Sequence, residues 1–383
     1  MDYLFAVLVS ATVLLLGLWG IRRIARILHP VVRQSNRGLA CLNEGRYDEA
    51  VTTFTEVANL NPMERTAYYN RGLAYLRKGD FNKALVDLSR AIDISPGYAG
   101  AYAARGETFQ HKGDYDRAIT EYSKAIELDP RCVLAYNNRA VTHALNGEHD
   151  LAILDFTRAL EIDPKYTTAY CGRGVAYAVQ GNHEQALAEF TRAIELDSRA
   201  TLAYRCRADA YHEQGRFDLA VADSTRAIEI DPDDPAGYYG RGIAYAESKQ
   251  YDSALADFNA VIEKEPRDPK ALCARAWVYQ RQGNLDSALA EFKIAAGICP
   301  ELTEAHWGIG SVCDTQGKCD EAIAAFSRAI EIRPKEANLY RDRALTYFHK
   351  REFTKAWADV HKAESLGLTV DTQFLADLRQ ASA

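Results

Sequence analysis

A proline that returns every 34 residues is the strongest constraint on how this 383-residue chain folds. The prolines of this series are Pro62, Pro96, Pro130, Pro164, Pro232, Pro266, Pro300 and Pro334, and Ser198 replaces the one missing member. A period of this length is typical of two-helix repeats, each of which covers its apolar face with the next repeat. The sequence therefore predicts an all-α solenoid rather than several globular domains.

Small residues recur with the same period. When each proline is assigned to position 32 of a repeat, position 8 is always glycine or alanine. Position 20 is alanine in all ten repeats: Ala50, Ala84, Ala118, Ala152, Ala186, Ala220, Ala254, Ala288, Ala322 and Ala356. Two helices can approach closely where both carry small side chains. We therefore expect one helical hairpin per repeat, with Ala186, for example, buried against Gly174.

Turn residues divide each repeat into two helices. In the third repeat, Gly113 is expected to end the first helix, and Asp116 to accept hydrogen bonds from the first amides of the second. The proline at position 32 stops the second helix, because it disfavours helical conformation in the residue before it. Ser198 lacks this restriction and leaves room for a longer second helix in the fifth repeat.

The N-terminus carries an uncharged apolar run over residues 3–21, followed by Arg22, Arg23 and Arg26. As a helix this run is about 28 Å long, close to the thickness of a hydrocarbon core. The basic residues on its C-terminal side predict a single-pass membrane protein whose repeats face the cytoplasm. A cleaved signal peptide is the alternative, but it would carry basic residues before the run and small residues at a cleavage site.

The sequence thus predicts three parts. Residues 1–30 form a transmembrane anchor with a basic juxtamembrane segment, and residues 371–383 form a C-terminal capping helix. Between them, residues 31–370 form ten repeats (31–64, 65–98, 99–132, 133–166, 167–200, 201–234, 235–268, 269–302, 303–336 and 337–370). The segments outside the repeats are too short for a catalytic domain, so no enzymatic activity is expected.

Charge and cysteine content narrow the choice of ligands. The net charge is −7 and is not offset by a basic cluster within the repeats, which argues against a nucleic-acid partner. The eight cysteines never form a C-x-x-C pair, and no catalytic or phosphate-binding motif occurs. We therefore expect no cofactor, no metal ion and chemically inert thiols, and we expect other proteins as partners.

Several stretches resemble tetratricopeptide repeats, among them YYNRGLAY at residues 68–75 and AYNNRA at residues 135–140. The resemblance extends over all ten repeats. It implies a right-handed superhelix with a concave groove, lined by positions 2, 5, 6, 9 and 12 of the first helices, that binds peptides or helices. Family members that grip the terminal carboxylate of chaperones need asparagine at position 9, which this chain lacks in every repeat.

The residues that this resemblance assigns to the groove are mainly apolar and aromatic. We predict that partners contact Tyr69, Asn70, Leu73, Leu76, Asn137, Asn138, Tyr239, Ile243, Trp277 and Trp307. Such a surface suits an amphipathic helix or an extended apolar segment. Trp277 and Trp307 are expected to be neighbours and anchors for a partner. Burial of both rings by crowding between repeats is the alternative.

Arginine occupies position 7 in nine repeats, from Arg37 to Arg343, and Ile309 replaces it in the ninth. It could form a ladder for an anionic ligand or a structural contact. The structural interpretation is favoured, because a residue present in nearly every repeat follows the architecture rather than one ligand. Ser224, at a position where most repeats carry an aromatic residue, is a second departure from the pattern.

Taken together, the sequence predicts a membrane-anchored scaffold that recruits partner proteins through the groove. Two alternatives remain: a targeting receptor or chaperone adaptor, and a non-catalytic regulatory subunit of a membrane enzyme complex.

Overall fold

The computed structural model describes residues 30–382, which contain 21 α-helices and no strand. Odd-numbered helices are the first helices of hairpins: α1 (30–43), α3 (Arg65–Lys78), α5 (Ala99–His111), α7 (Val133–Leu145), α9 (Thr167–Val179), α11 (Thr201–Glu213), α13 (Pro235–Glu247), α15 (Pro269–Arg281), α17 (Thr303–Thr315) and α19 (Ala337–His349). Even-numbered helices follow them: α2 (Tyr47–Leu60), α4 (Phe81–Ile94), α6 (Tyr115–Leu128), α8 (His149–Ile162), α10 (His183–Leu196), α12 (Phe217–Ile230), α14 (Tyr251–Lys264), α16 (Leu285–Ile298), α18 (Cys319–Ile332) and α20 (Phe353–Ser365). The final helix is α21 (Thr372–Ser382). The predicted all-α helical-repeat solenoid is confirmed.

The helices group into two compact units, Met1–Leu196 and Asp197–Ala383, called here the N-terminal and C-terminal units. Within each unit, the helices of one hairpin pack along each other, and each hairpin packs against the next. First helices of successive hairpins also touch, for example α7 with α9 and α15 with α17. Each unit is therefore held together by contacts between neighbours in the sequence.

The turn in the third repeat shows how the hairpins close. Gly113 adopts a positive φ of 76° and follows the end of α5, as expected. The side chain that accepts from the first turn of α6 belongs to Asp114, which receives a hydrogen bond from the amide of Arg117. The prediction for Asp116 was wrong by two residues. Asp116 already lies inside α6, and the capping side chain belongs to the residue that immediately precedes the helix.

The hairpin contact centres on an aromatic ring rather than on two small residues. Ala186 is fully buried. The atoms nearest to Gly174, however, belong to Phe190, and a Cβ at this glycine would lie 2.5 Å from Cε1 of that ring. Position 8 is therefore small because a large residue at position 24 fills the space beside it. Ser224 occupies that position in the sixth repeat and is buried as well.

The second helix of the fifth repeat is not lengthened by Ser198. Helix α10 ends at Leu196, which is 34 residues after Ile162, the last residue of α8. The register of the repeat therefore persists without the proline, since the helix end also depends on the turn that follows.

The arginines at position 7 form a series of contacts between repeats. Arg71 donates from Nε and Nη2 to Asp87 at 2.7 and 2.8 Å, and from Nη1 to the hydroxyl of Thr55 in the preceding repeat at 2.9 Å. We call this arrangement of arginine, carboxylate and preceding side chain a rung. The same rung is built around Arg105, Arg139, Arg173, Arg241, Arg275 and Arg343, with an asparagine in place of the hydroxyl at Arg275. These guanidinium groups are occupied by the protein itself, which supports the structural interpretation.

The ninth repeat has no rung, because all three residues that would form one are replaced. Ile309 replaces the arginine, Ala325 the carboxylate, and Lys293 the hydroxyl of the preceding repeat. Ile309 instead packs beside the apolar core of helices α15–α18. The three replacements fit one another, because an arginine here would have no carboxylate and would face a lysine.

The chain ends on a helix that packs against the last hairpin. Phe374 and Leu378 of α21 are buried in the cluster that contains Val360 of α20. The carboxylate of Asp371 accepts a hydrogen bond from the amide of Phe374 at 2.8 Å, which caps the helix.

The predicted transmembrane segment over residues 3–21, with Arg22, Arg23 and Arg26, lies outside the described residues. Within residues 30–382, no helix combines the length and the apolar character needed to cross a bilayer.

Candidate partner-binding surfaces

The predicted groove residues of α3 are only partly accessible. Tyr69, Asn70 and Leu73 are half-buried, and the ring of Tyr69 lies 4.9 Å from that of Tyr98. Leu76 is only 4% exposed and packs within a core cluster. A partner cannot reach Leu76 without a local rearrangement, because position 12 of this helix lies against its neighbours.

The two asparagines of α7 differ in accessibility. Asn138 is half-buried, whereas Asn137 is 4% exposed. Nδ2 of Asn137 donates to Oδ1 of Asn138 at 3.2 Å, and Oδ1 of Asn137 accepts no hydrogen bond from the residues that the structure describes. A partner can therefore reach Asn138 directly, but it cannot reach Asn137 without a local rearrangement.

Next to these asparagines lies an exposed apolar surface that the sequence analysis missed. It is formed by Leu134 and Leu145 of α7 and by Val175 and Val179 of α9, which are 53, 54, 43 and 61% exposed. We call these four residues the apolar patch. They occupy positions 2, 9 and 13, which lie on one side of a helix, and α7 touches α9. The recurrence of apolar residues at position 13 in the fourth and fifth repeats was the signal that could have revealed it.

The aromatic residues predicted to contact partners in the C-terminal unit lie in two core clusters. Trp277 lies 5.1 Å from Phe292 and 6.0 Å from Trp307 between ring centroids, in T-shaped arrangements. Tyr239 packs against Phe258 in the same way, at 5.9 Å. Trp277 and Trp307 are thus neighbours, as expected. Both are half-buried, so they are neither free anchors nor fully enclosed core residues.

The indole of Trp307 is fixed by a polar contact. Its Nε1 donates to Oδ2 of Asp342, on α19, at 2.8 Å. A ring that is packed on one side and hydrogen-bonded at its edge loses little further freedom when a partner binds. This part of the surface is therefore preorganised.

A cavity of about 330 Å³ opens beside this cluster, and we call it the aromatic cavity. Tyr239, Ile243, Cys273, Trp277 and Glu304 contribute to its wall. It is formed by helices α13, α15 and α17 with the end of α18, all within the C-terminal unit. A neighbouring cavity of about 500 Å³ shares Tyr239 with it.

The wall of the aromatic cavity is mainly apolar and aromatic, and Lys270, Glu304 and Arg333 are its charged residues. Burial raises the pKa of the Cys273 thiol to about 12, and the carboxylates of Glu304 and Asp268 contribute to the same shift. Burial likewise raises the pKa of Tyr239, with Asp268 and Glu304 again among the causes. A thiol with so high a pKa stays protonated at neutral pH and is a poor nucleophile.

Within residues 30–382, no group of three or more histidine, cysteine or acidic side chains is arranged to hold a metal ion. The buried thiol of Cys171 in the N-terminal unit also has a pKa raised by burial, to about 11.

The fold and these surfaces define a helical-repeat protein, and family profiles identify its class. Tetratricopeptide-repeat profiles match residues 38–79, 66–98, 104–167, 171–235, 208–276, 269–292 and 315–350. Between residues 38 and 350 these matches leave only residues 99–103, 168–170 and 293–314 uncovered. The chain belongs to the tetratricopeptide repeat family. No curated protein matches it.

Solved structures share the fold at low sequence identity. The crystal structure of yeast Tom70 has a TM-score of 0.51 and 14% identity, covering 92% of this chain and 95% of that one. A tetratricopeptide repeat protein from Parabacteroides merdae has a TM-score of 0.54 and 20% identity, covering 65% of this chain and 98% of that one. The Cut9–Hcn1 hetero-tetramer of the APC/C has a TM-score of 0.52 and 14% identity, covering 90% of this chain and 95% of that one. At these identities the likeness concerns the fold alone.

Proposed function

We propose that this protein is a membrane-anchored scaffold that holds partner proteins on the first helices of its repeats. The apolar patch carries this proposal. Four leucine and valine side chains, each more than 40% exposed, lie along one side of two neighbouring helices, from Leu134 at the start of α7 to Leu145 and Val179 at the ends of α7 and α9. A group of this kind is costly to leave in water and marks a surface that another molecule covers.

The chemistry of the patch indicates the kind of segment it binds. The positions of α7 and α9 that face the same way carry no charged residue: Leu134, Asn137, Asn138, Val141, Ala144, Leu145, Thr168, Cys171, Gly172, Val175, Ala178 and Val179. We infer that the partner presents an apolar face, as an amphipathic helix or an extended segment does. Asn138 is available to hydrogen-bond its backbone, and Tyr69, Asn70 and Leu73 extend the proposed surface towards the N-terminus.

The proposed organisation follows the sequence. Residues 1–30 contain the anchor over residues 3–21, residues 31–370 the ten repeats, and residues 371–383 the capping helix. The basic residues after the anchor favour a cytoplasmic array. The absence of asparagine at position 9 weighs against a chaperone adaptor that grips a terminal carboxylate.

Partner capture from detergent extracts tests the role of the patch. In the full-length protein, Val175→Asp with Val179→Asp places two charges where an apolar partner would pack. We expect captured partner to fall at least about tenfold, since burying one such side chain contributes about 1.5–3 kcal/mol. Val86→Asp is the matched control, because Val86 is 70% exposed on α4, a second helix. Helicity should be unchanged in both variants.

Unchanged capture by the Val175 and Val179 double variant would refute the role of the patch.

The anchor has its own test. Full-length protein should resist extraction from membranes by carbonate, whereas residues 31–383 should be soluble. Extraction of the full-length protein would remove the membrane from the proposal and leave the scaffold intact.

A further inference from the structure

The first helix of the array, α1, carries an exposed basic face. Arg33 and Arg37 are both exposed, and at a spacing of four residues they lie on the same side of the helix. We propose that this face binds the headgroups of anionic phospholipids in the membrane that holds the proposed anchor. The inference rests on that anchor, because the apolar run over residues 3–21 would keep α1 close to the bilayer surface.

Charge is distributed unevenly along the chain, and the N-terminal end is its basic part. Residues 3–43 contain five arginines and no acidic residue, although the net charge of the whole chain is −7. Arg33 and Arg37 continue the basic segment that follows the proposed anchor. Groups of about four to eight basic residues on the cytoplasmic side of a membrane anchor are typical of segments that bind anionic lipids.

Arg37 differs from the other arginines at position 7, because its own repeat supplies no carboxylate. Position 23, which provides the carboxylate of each rung, is Thr53 in the first repeat. Thr53 is buried, and its hydroxyl donates to the backbone carbonyl of Glu49 at 2.8 Å. Within residues 30–382 no repeat precedes the first one, so the third partner of a rung is missing as well. The guanidinium of Arg37 is therefore not occupied by a rung.

The acidic residues of the first hairpin do not neutralise the basic face. Within residues 30–382, neither Arg33 nor Arg37 forms an ion pair with any of them. Three of these acidic residues have other basic partners: Glu44, Asp48 and Glu49. The fourth, Glu56 of α2, is exposed. Like charges four residues apart on a helix repel each other, so an anion that lies between the two arginines stabilises them.

Apolar side chains on the same side of α1 favour a membrane surface over a soluble anion. Val32 and Leu39 are 54 and 40% exposed. The opposite side of the helix, with Val31 and Gly38, packs on α2. Helices that lie at a membrane surface combine apolar residues, which enter the boundary of the acyl chains, with basic residues that reach the headgroups. A lipid can contact both kinds of side chain here, whereas a soluble anion uses only the arginines.

Native mass spectrometry of the full-length protein tests the inference. The protein is held in detergent micelles with equal amounts of phosphatidylserine and phosphatidylcholine, and the lipids that stay bound are counted. We expect at least about tenfold more phosphatidylserine than phosphatidylcholine. Arg33→Gln with Arg37→Gln should lower this excess at least about fivefold, since each basic residue near an anionic surface contributes about that factor. Arg33→Lys with Arg37→Lys keeps the charge and should keep the excess.

Arg131→Gln with Arg199→Gln is the matched control, because it removes the same charge from two exposed turns of later repeats. The excess of phosphatidylserine should be unchanged in it, and helicity should be unchanged in every variant. Equal retention of the two lipids, an unchanged excess in the Arg33 and Arg37 glutamine variant, or an equal loss in the control would each overturn the inference. Displacement of the lipid by an equal concentration of glycerophosphoserine or hexaglutamate would also overturn it, in favour of a soluble anion or an acidic peptide.

The anchor and this inference fail separately. If carbonate extracted the full-length protein, the anchor would be lost, but a preference for phosphatidylserine that depends on Arg33 and Arg37 would still assign this face of α1 to anionic lipids. A protein that resists carbonate and retains both lipids equally would keep the anchor and lose the inference.

Discussion

The N-terminal and C-terminal units are built from the same repeat, yet they differ inside and on the surface. In the N-terminal unit, rungs form around Arg71, Arg105, Arg139 and Arg173, and each second helix carries a large residue at position 24. In the C-terminal unit, the ninth repeat has no rung although it lies between two repeats that have one, and Ser224 replaces the large residue in the sixth. The exposed first-helix surface is neutral around α7 and α9 of the N-terminal unit, whereas the aromatic cavity of the C-terminal unit carries charge.

This difference links the interior of a repeat to its surface. Trp307 and Ile309 of the ninth repeat are two residues apart, and both pack beside the same core cluster. Glu304, one turn earlier on α17, lines the aromatic cavity. The eighth repeat supplies most of the cavity wall, and the ninth repeat, which adds Glu304 and Arg333, is the one that has exchanged its rung for apolar packing. The altered interior of the ninth repeat therefore lies next to this surface.

The largest expected effect comes from the ring at position 24. Phe190→Ala should destabilise its hairpin by about 3–5 kcal/mol, because it leaves a cavity beside Gly174. Long repeat arrays do not unfold in one step, so native-state hydrogen exchange of α9 and α10 is the suitable measurement. In the C-terminal unit, Ser224→Ala should cost less than about 1 kcal/mol. Similar costs at both positions would contradict the comparison.

The rungs should contribute equally to both units. Asp87→Asn and Asp257→Asn each leave a largely buried arginine, Arg71 or Arg241, without its charged partner. We expect each to cost about 2–3 kcal/mol, somewhat below the range of about 3–5 kcal/mol for fully buried pairs, since the arginines are 18 and 20% exposed. Denaturant unfolding of the variants, monitored by helicity, gives the cost.

The matched control for the rungs is an exposed ion pair. Glu229→Gln breaks a contact with Arg226 in which both side chains are about half exposed. It should change stability by less than about 1 kcal/mol. If it cost as much as Asp257→Asn, the rungs would have no special role.

The smallest expected effect sharpens the account of the ninth repeat. Ile309→Arg should destabilise the C-terminal unit by about 1–2 kcal/mol, because the arginine gains no carboxylate and lies near Lys293. Adding Ala325→Asp should recover most of this loss, since it rebuilds the pair found in neighbouring repeats. Thermal unfolding of the single and double variants measures the coupling. Additive effects would show that the replacements at Ile309 and Ala325 are unrelated.

Much of the fold was predictable because each repeat restates the same constraints. The prolines and the alanines at position 20 fixed the period, and the predicted hairpins follow from it. Local geometry was less predictable. The side chain that packs on Gly174 and the side chain that caps α6 depend on the exact helix boundaries and side-chain directions. The repeat pattern of the sequence does not specify these. The confusion of Asp116 with Asp114 is of this kind.

The candidate surfaces were predicted less well, for a physical reason. Groove positions taken from a family resemblance assume that every repeat leaves the same space. Leu76 and Asn137 are buried here because their particular neighbours fill that space. The apolar patch was not predicted, because leucines and valines reveal a binding surface only where they are exposed. Exposure in turn depends on the helices on either side.

The rungs also bear on how an array of this kind can change in length. Each arginine and its carboxylate come from one repeat, and the third partner is supplied by the repeat before it. A tandem duplication of the second, third or fourth repeat would carry its own ion pair and offer the hydroxyl of Ser89, Ser123 or Thr157 to the copy that follows. This part of the array can therefore grow or shrink by whole repeats without new compensating substitutions. Insertions should be tolerated least at the junction of the eighth and ninth repeats. The ammonium group of Lys293 cannot accept a hydrogen bond from an arginine in the repeat that follows it.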